Sequence, residues 1–221
     1  MSLGTIILLI AAVLVVLGVG QRTLDRLRLT DRQAILIIAA MLIGGLLPNI
    51  PLGESFSVNI GGAIIPFCLC IYLLATASHG QERIRALLAA VATGFAVYWM
   101  GKLLPNEPEA MWLDTNYLYG LPAGLIAWLL GRSRRGAFVA GILGMMGSDI
   151  ASALILHFNG VQQTLSLGGA GAVDAIVIAG FVAVMFAELI GEITERITRG
   201  TRKRDDQVFD HGEIRRRRTE K

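Results

Sequence analysis

Charge is scarce in this chain: Asp, Glu, Lys and Arg make up 17% of its 221 residues, hydrophobic residues make up 54%, and mean hydropathy is +0.60. Ordinary soluble domains carry about 25% charged residues, so the shortfall excludes that class and points to lipid. Cysteine is nearly absent as well. Cys68 and Cys70 both fall in an apolar stretch, which leaves no disulfide framework or thiol-rich metal site and makes them small buried hydrophobes. His79 and His157 sit at the ends of apolar runs without metal-ligand spacing. No haem pattern, phosphate-binding loop or nucleic-acid module is present. The glycine-rich GGAGAVD at 168–174 lacks the preceding strand that gives a dinucleotide fingerprint its meaning. Neither cofactor, metal nor nucleic acid is expected. No internal repeat is visible either, so an inverted-repeat transporter architecture gains no support.

What is abundant is long apolar sequence. Runs near 3–20, 34–50, 57–77, 86–104, 117–131, 137–157 and 170–192 each approach the roughly 20 residues that cross a hydrocarbon core of about 30 Å. An all-α bundle of seven spans over residues 1–193 is the expectation. The first run is followed, not preceded, by Arg22, Arg26, Arg28 and Arg32, which reads as a retained span and not a signal peptide.

The connecting loops alternate in charge. RTLDRLRLTDR, SHGQERIR and RSRR are basic, NEPEAMWLDTN is acidic, and NIPLGES and HFNGVQQ lack cations other than histidine. Basic short loops stay cytoplasmic, so this pattern predicts an outside N-terminus and a cytoplasmic C-terminus in the cell (inner or plasma) membrane. Trp99, Trp112, Tyr117 and Tyr119 then flank the outer boundary, where amphipathic rings prefer to lie. Lys102 is expected to snorkel outward or to pair with Glu107 or Asp114. Ten of the twenty Lys and Arg follow Ile193. Residues 194–221 therefore read as a basic, disordered cytoplasmic tail with an affinity for anionic lipid.

Two carboxylates interrupt the apolar pattern. Asp149 lies in GILGMMGSDI and Asp174 in GGAGAVDAI, neither with a cation beside it in sequence. An ionised carboxylate at mid-bilayer costs about 2.5–3.5 kcal/mol on insertion scales, so such groups usually face a bundle interior or water and do a job. With about 1.5 Å of rise per residue, both fall in the outer half of consecutive spans, within about one turn in depth. Small residues recur every fourth position beside them: Ala140, Gly144, Ser148 and Ser152 in one span, Gly171, Ala175, Ala179, Ala183, Ala187 and Gly191 in the next. Such stripes let membrane helices approach closely, which predicts that these two helices touch along them and bring the carboxyl groups together.

A converging pair shares a proton as a coupled unit. It supports either aspartic-protease hydrolysis of a membrane-protein substrate or proton- or cation-coupled movement of a small solute. If each aspartate instead bonds only neighbouring groups, a non-catalytic scaffold remains. Asn59, Ser148, Ser152 and Gly171 are the candidate substrate- or ion-binding residues around Asp149 and Asp174. Gly61 and Gly62 allow close backbone approach, and Pro66 is expected to free a carbonyl. Glu188 and Glu192 read as interfacial.

Three stretches, NIGGAIIP at 59–66, GILGMMGSDI at 141–150 and GGAGAVDAI at 168–176, resemble the bacterial and archaeal membrane family known as domain of unknown function 1614. The resemblance covers most of the hydrophobic region and implies site residues, not a chemistry. Ala175 stands where that pattern would have Gly. A looser similarity is to intramembrane aspartyl proteases, which also carry aspartates on two consecutive spans. Their Gly-x-Gly-Asp hallmark is missing, because Asp149 follows Gly-Ser, and their Pro-Ala-Leu becomes Pro122-Ala123-Gly124.

Overall fold

The computed structural model describes residues 30–53, 55–77, 80–103, 114–131, 133–161, 164–197, 207–210 and 213–216. The expected span at 3–20, and Trp112 and Glu107 of the acidic loop, lie outside them. The chain divides into two compact units, 1–188 and 189–221.

Helices dominate the first unit. Thr30 opens α1 (Asp31–Leu46) with a capping box: its side chain accepts from the Gln33 amide, and the Gln33 side chain accepts from the Thr30 amide. Two of the orphan donors at the helix start are thereby satisfied. Ser133 similarly caps α5 (Arg134–Phe158) through Gly136 N–H. These caps, together with α2 (Ile65–Ala75), α3 (Gly80–Leu103), α4 (Thr115–Gly131) and α6 (Ala175–Ile197), set helix bounds that differ by several residues from the apolar runs. Helices α3 and α5 are long and apolar enough to cross a membrane by length and composition, while Arg32–Leu46, Ile60–Ala75 and Ala175–Gly191 are shorter apolar segments.

The packing has small residues inside and large ones outside. Along α3 the buried face holds Ala86, Ala89, Ala90, Thr93, Gly94 and Val97. The opposite face exposes Ile84, Leu88, Val91, Phe95 and Trp99 at 49–71%. A water-soluble helix reverses this order, because its large apolar side chains are what folding hides. Close approach through small residues, with bulky chains turned outward, is the arrangement expected where lipid replaces water. The Lys102 ammonium sits over the rings of Tyr98 and Trp99, 4.8 and 5.8 Å from their centroids, a cation–π contact.

One end of the bundle is tied by arginines. Arg83 donates to the carbonyls of Ala75 and Ala77, and Arg135 to that of Thr76, capping the last carbonyl of α2 and the two that follow it. Arg134 pairs with Glu188 and Ser133 with Glu82. Glu188, read from sequence as interfacial, is thus a link between α5 and α6.

The opposite end departs from an all-α bundle. Strands β1 (Ile50–Pro51), β2 (Phe56–Val58) and β3 (Leu165–Leu167) form a small sheet in that order, β1–β2 antiparallel and β2–β3 parallel. The run expected to be a span from residue 57 therefore begins as a strand. It becomes helical only after Asn59, through a wide π-type turn at Ile60–Ile64. Such turns are uncommon and favour functional sites. Pro66 lies where this turn passes into α2 and has no N–H to donate to the carbonyl of Gly61 or Gly62 behind it.

The second unit contains the end of α6 and a hairpin, β4 (Gln207–Asp210) with β5 (Glu213–Arg216), pairing Phe209 with Ile214. Composition suggested a disordered tail from residue 194. The hairpin contains Val208, Phe209 and Ile214, residue types that favour strands.

Candidate functional site

The sheet end of the bundle is built on glycine. A Cβ on Gly61 would run into Gly45 N and Met41 O of α1, and one on Gly62 into Gly168 O. Gly171 (φ +63°) and Gly168 (φ +67°) adopt the left-handed backbone conformation, and a Cβ on Gly171 would meet Gly45 O at 2.7 Å. Three segments, the end of α1, the turn into α2 and the turn into α6, thus touch backbone to backbone, which only glycine permits.

Asn59 fixes this junction. It is 2% exposed; its Oδ1 accepts from Gly62 N–H at 2.9 Å, and its Nδ2 donates to Leu47 O at 3.2 Å and to Asn49 Oδ1 at 2.9 Å. Asn49 Nδ2 in turn donates to Ser166 Oγ at 2.8 Å. Asn59→Ala would leave the Gly62 N–H and Leu47 carbonyl without this partner and should cost about 2–4 kcal/mol, each unmet buried group contributing about 1–3. Denaturant unfolding in detergent would measure it. Asn59 is therefore a joint of the fold; its partner Asn49, and Ser166 to which Asn49 donates, were missed from sequence because only the fold brings residues 10 and more than 100 positions apart together.

Asp174 lies just outside α6, as its cap, and not within the helix as the apolar run suggested. Its Oδ1 accepts from Ile176 N–H at 3.0 Å and its Oδ2 from Ala170 N–H at 3.1 Å. Asn116 of α4 accepts from the next free donor, Ala175 N–H, at 3.3 Å. Aspartate at a helix start satisfies orphan amides and meets the positive end of the helix dipole. A side chain 8% exposed is held in place by both oxygens.

Asp149 is different. It stands half-buried on α5 with no hydrogen-bond partner among the described residues. Its facing follows from Ile142, one seven-residue period earlier and so on nearly the same side of the helix. Ile142 packs on Gly180 of α6. From that crossing Asp149 lies about 10 Å along α5 and Asp174 about 9 Å along α6 in the opposite chain sense, taking 1.5 Å per residue. The helices run antiparallel, with Arg134 of α5 paired to Glu188 of α6 and Gly141 against Ala179, so the two aspartates reach closely similar levels.

The small-residue stripes divide differently from the expectation. The nearest neighbours of Gly144 are Thr93 and Ala90 of α3, whereas Gly141, three residues earlier, meets Ala179 of α6. In α6, Ala175 and Ala179 also back onto Gly120 and Gly124 of α4. Ser148, 4% exposed, lies on the Gly144 side four residues along. Ser152 is half-buried one turn beyond Ser148. Gly171 belongs to the glycine junction. Thr93, which sequence reading passed over, is fully buried with its hydroxyl unpartnered among the described residues; only the placement of α3 against Gly144 reveals it. No cluster of three or more His, Cys, Asp or Glu suited to a metal occurs among the described residues.

No curated protein and no solved structure matches the chain. A family model does match, over residues 49–186, a range that holds Asn59, Asp149, Asp174 and every glycine of the junction except those on α1. The chain belongs to that family, whose description reads "Protein of unknown function (DUF1614)".

Proposed function

We propose that the chain is a multi-pass protein of the cell (inner or plasma) membrane that moves protons or a small cation by way of Asp149. In this reading seven spans, with the N-terminus outside, place the basic loops and tail in the cytoplasm, where the tail meets anionic lipid. The inside-out packing of α3, with Thr93 and Gly94 within and Val91 and Phe95 without, supports the lipid setting.

The observation that carries the reading is the unequal state of the two carboxylates. Both oxygens of Asp174 accept backbone hydrogen bonds, so this group is committed to capping α6. Asp149, at a similar level on the facing helix, has no such bonds and is free to bind and release a proton or cation. An unpaired carboxylate on a membrane helix is expensive unless it works. Hydrolysis by an aspartate pair would need both carboxylates to hold one water, and the bonds on Asp174 compete with that. Peptide cleavage is therefore the second reading, favoured by the similar levels of the two groups on consecutive helices.

The test is purified protein in proteoliposomes with an internal pH dye and imposed proton, Na⁺ or K⁺ gradients. Flux above that of empty vesicles, removed by Asp149→Asn, is the expected result. Cleavage of a transmembrane peptide without any flux would replace this reading with proteolysis. Absence of both activities would leave a scaffold.

A further inference from the structure

We propose that Thr93 is the second working group of the Asp149 site, a buried hydroxyl that binds a proton-carrying water and relays it past Ser148 to the carboxylate. The inference rests on the reading of Asp149 as a proton or cation carrier and adds the residue that supplies it from the α3 side.

Thr93 sits midway along α3 at 0% exposure. Its hydroxyl is the buried side-chain oxygen or nitrogen atom that finds no partner among the described residues. Buried polar atoms in folded proteins are hydrogen-bonded in the great majority, and an exception calls for a reason such as a bound water or a functional role. Threonine in a helix can turn its hydroxyl to a carbonyl of the preceding turn, but this one does not. Its location gives the reason. A Cβ on Gly144 would stand 2.8 Å from Thr93 Cβ and 2.9 Å from Ala90 O, and a Cβ on Gly94 would stand 2.8 Å from Gly144 O. The two glycines bring α3 and α5 together at the level of the hydroxyl.

From Gly144 the polar line continues along α5. Ser148 lies four residues on, buried and on nearly the same side. Asp149 is next to it and turns toward α6. By helical rise the path from Gly144 to Asp149 is about 7.5 Å, a span that one water and the Ser148 hydroxyl can bridge. A hydroxyl both donates and accepts, so Thr93 and Ser148 can receive a proton from water on one side and pass another on. The proton count is unchanged at each step and no other reactant is needed. Valine has nearly the same shape without the hydroxyl, and packing alone would favour it at this crossing.

The test reads the proton path directly. In reconstituted protein, at a pH low enough to protonate Asp149, the carboxylic carbonyl infrared band is identified by its loss in Asp149→Asn. Its hydrogen–deuterium exchange is then timed after a jump into D2O. Thr93→Val should slow exchange by tenfold or more, and Thr93→Ser should keep the wild-type rate. Unchanged exchange in Thr93→Val would overturn the proposal, because the hydroxyl would then carry nothing. If the valine variant fails to fold, Thr93→Ala compared with Thr93→Ser makes the same decision. Slowed exchange in a protein that shows no flux would sustain Thr93 as a relay while removing the carrier reading. Normal exchange in Thr93→Val with intact flux would do the reverse.

Discussion

Gly61→Ala and Gly62→Ala should each prevent stable assembly of the protein, with a loss of about 4 kcal/mol or more, at the upper end for single substitutions. The reason is the identity of the atoms in the way. At Gly61 they are Gly45 N and Met41 O, and at Gly62 they are Gly168 O and Gly171 O, all backbone. A flexible side chain can rotate aside; a main chain held by a helix on one side and a β-bridge on the other cannot without breaking those bonds. Asn59, two and three residues earlier, would lose its bonds in the same shift, since Gly62 N–H is one of its partners. The control is Gly147→Ala on α5, where a Cβ would meet no atom within 4 Å. Alanine there should leave stability unchanged or raise it by about 0.5–1 kcal/mol, from the better helix propensity. Monodispersity in detergent and the thermal midpoint would separate the cases. A well-assembled Gly62→Ala protein with a normal midpoint would show that the junction is looser than its contacts imply.

The sequence made part of this junction legible. Gly61, Gly62 and Asn59 stand out in a run that is otherwise apolar, and glycine pairs there indicate close backbone approach. What they approach is a long-range matter: Gly45 is 16 residues earlier and Gly168 more than 100 later, and no periodicity connects them. The same limit hid the sheet. Strands of two or three residues, with Phe56–Val58 bonded to Leu165–Leu167, are too short to show alternation, and their apolar residues merged into the neighbouring spans. Helix starts were more accessible, since Thr30 and Gln33 spell a capping box and Ser133 stands before α5. Hydropathy alone placed those starts inside the helices because the first turns are polar. Asp149 and Asp174 were conspicuous as charges in apolar surroundings. Their difference was not, because a cap and a mid-helix carboxylate look alike until the helix start is known.

That difference yields opposite expectations for the same substitution. Asp174→Asn keeps an acceptor for Ile176 N–H, since asparagine caps helices about as well as aspartate. It then presents its amide NH2 to Ala170 N–H, where the carboxylate Oδ2 now accepts. Two donors face each other, one cap hydrogen bond at the start of α6 is lost, and stability should fall by about 1–3 kcal/mol. Asp149→Asn breaks no hydrogen bond among the described residues and replaces a half-buried carboxyl by a neutral amide of the same shape. It should leave the unfolding free energy unchanged or raised, while proton or cation flux falls by about 100-fold or more, the lower range for losing a group that transfers protons. Thermal unfolding and vesicle flux on the two variants side by side would read both effects. If Asp149→Asn is the unstable variant and Asp174→Asn the inactive one, the roles are exchanged. The cap would then be the working group and Asp149 a partner buried for the sake of the fold. If each variant loses activity and neither loses stability, the two act as one coupled unit, which is what shared hydrolysis of a peptide would require.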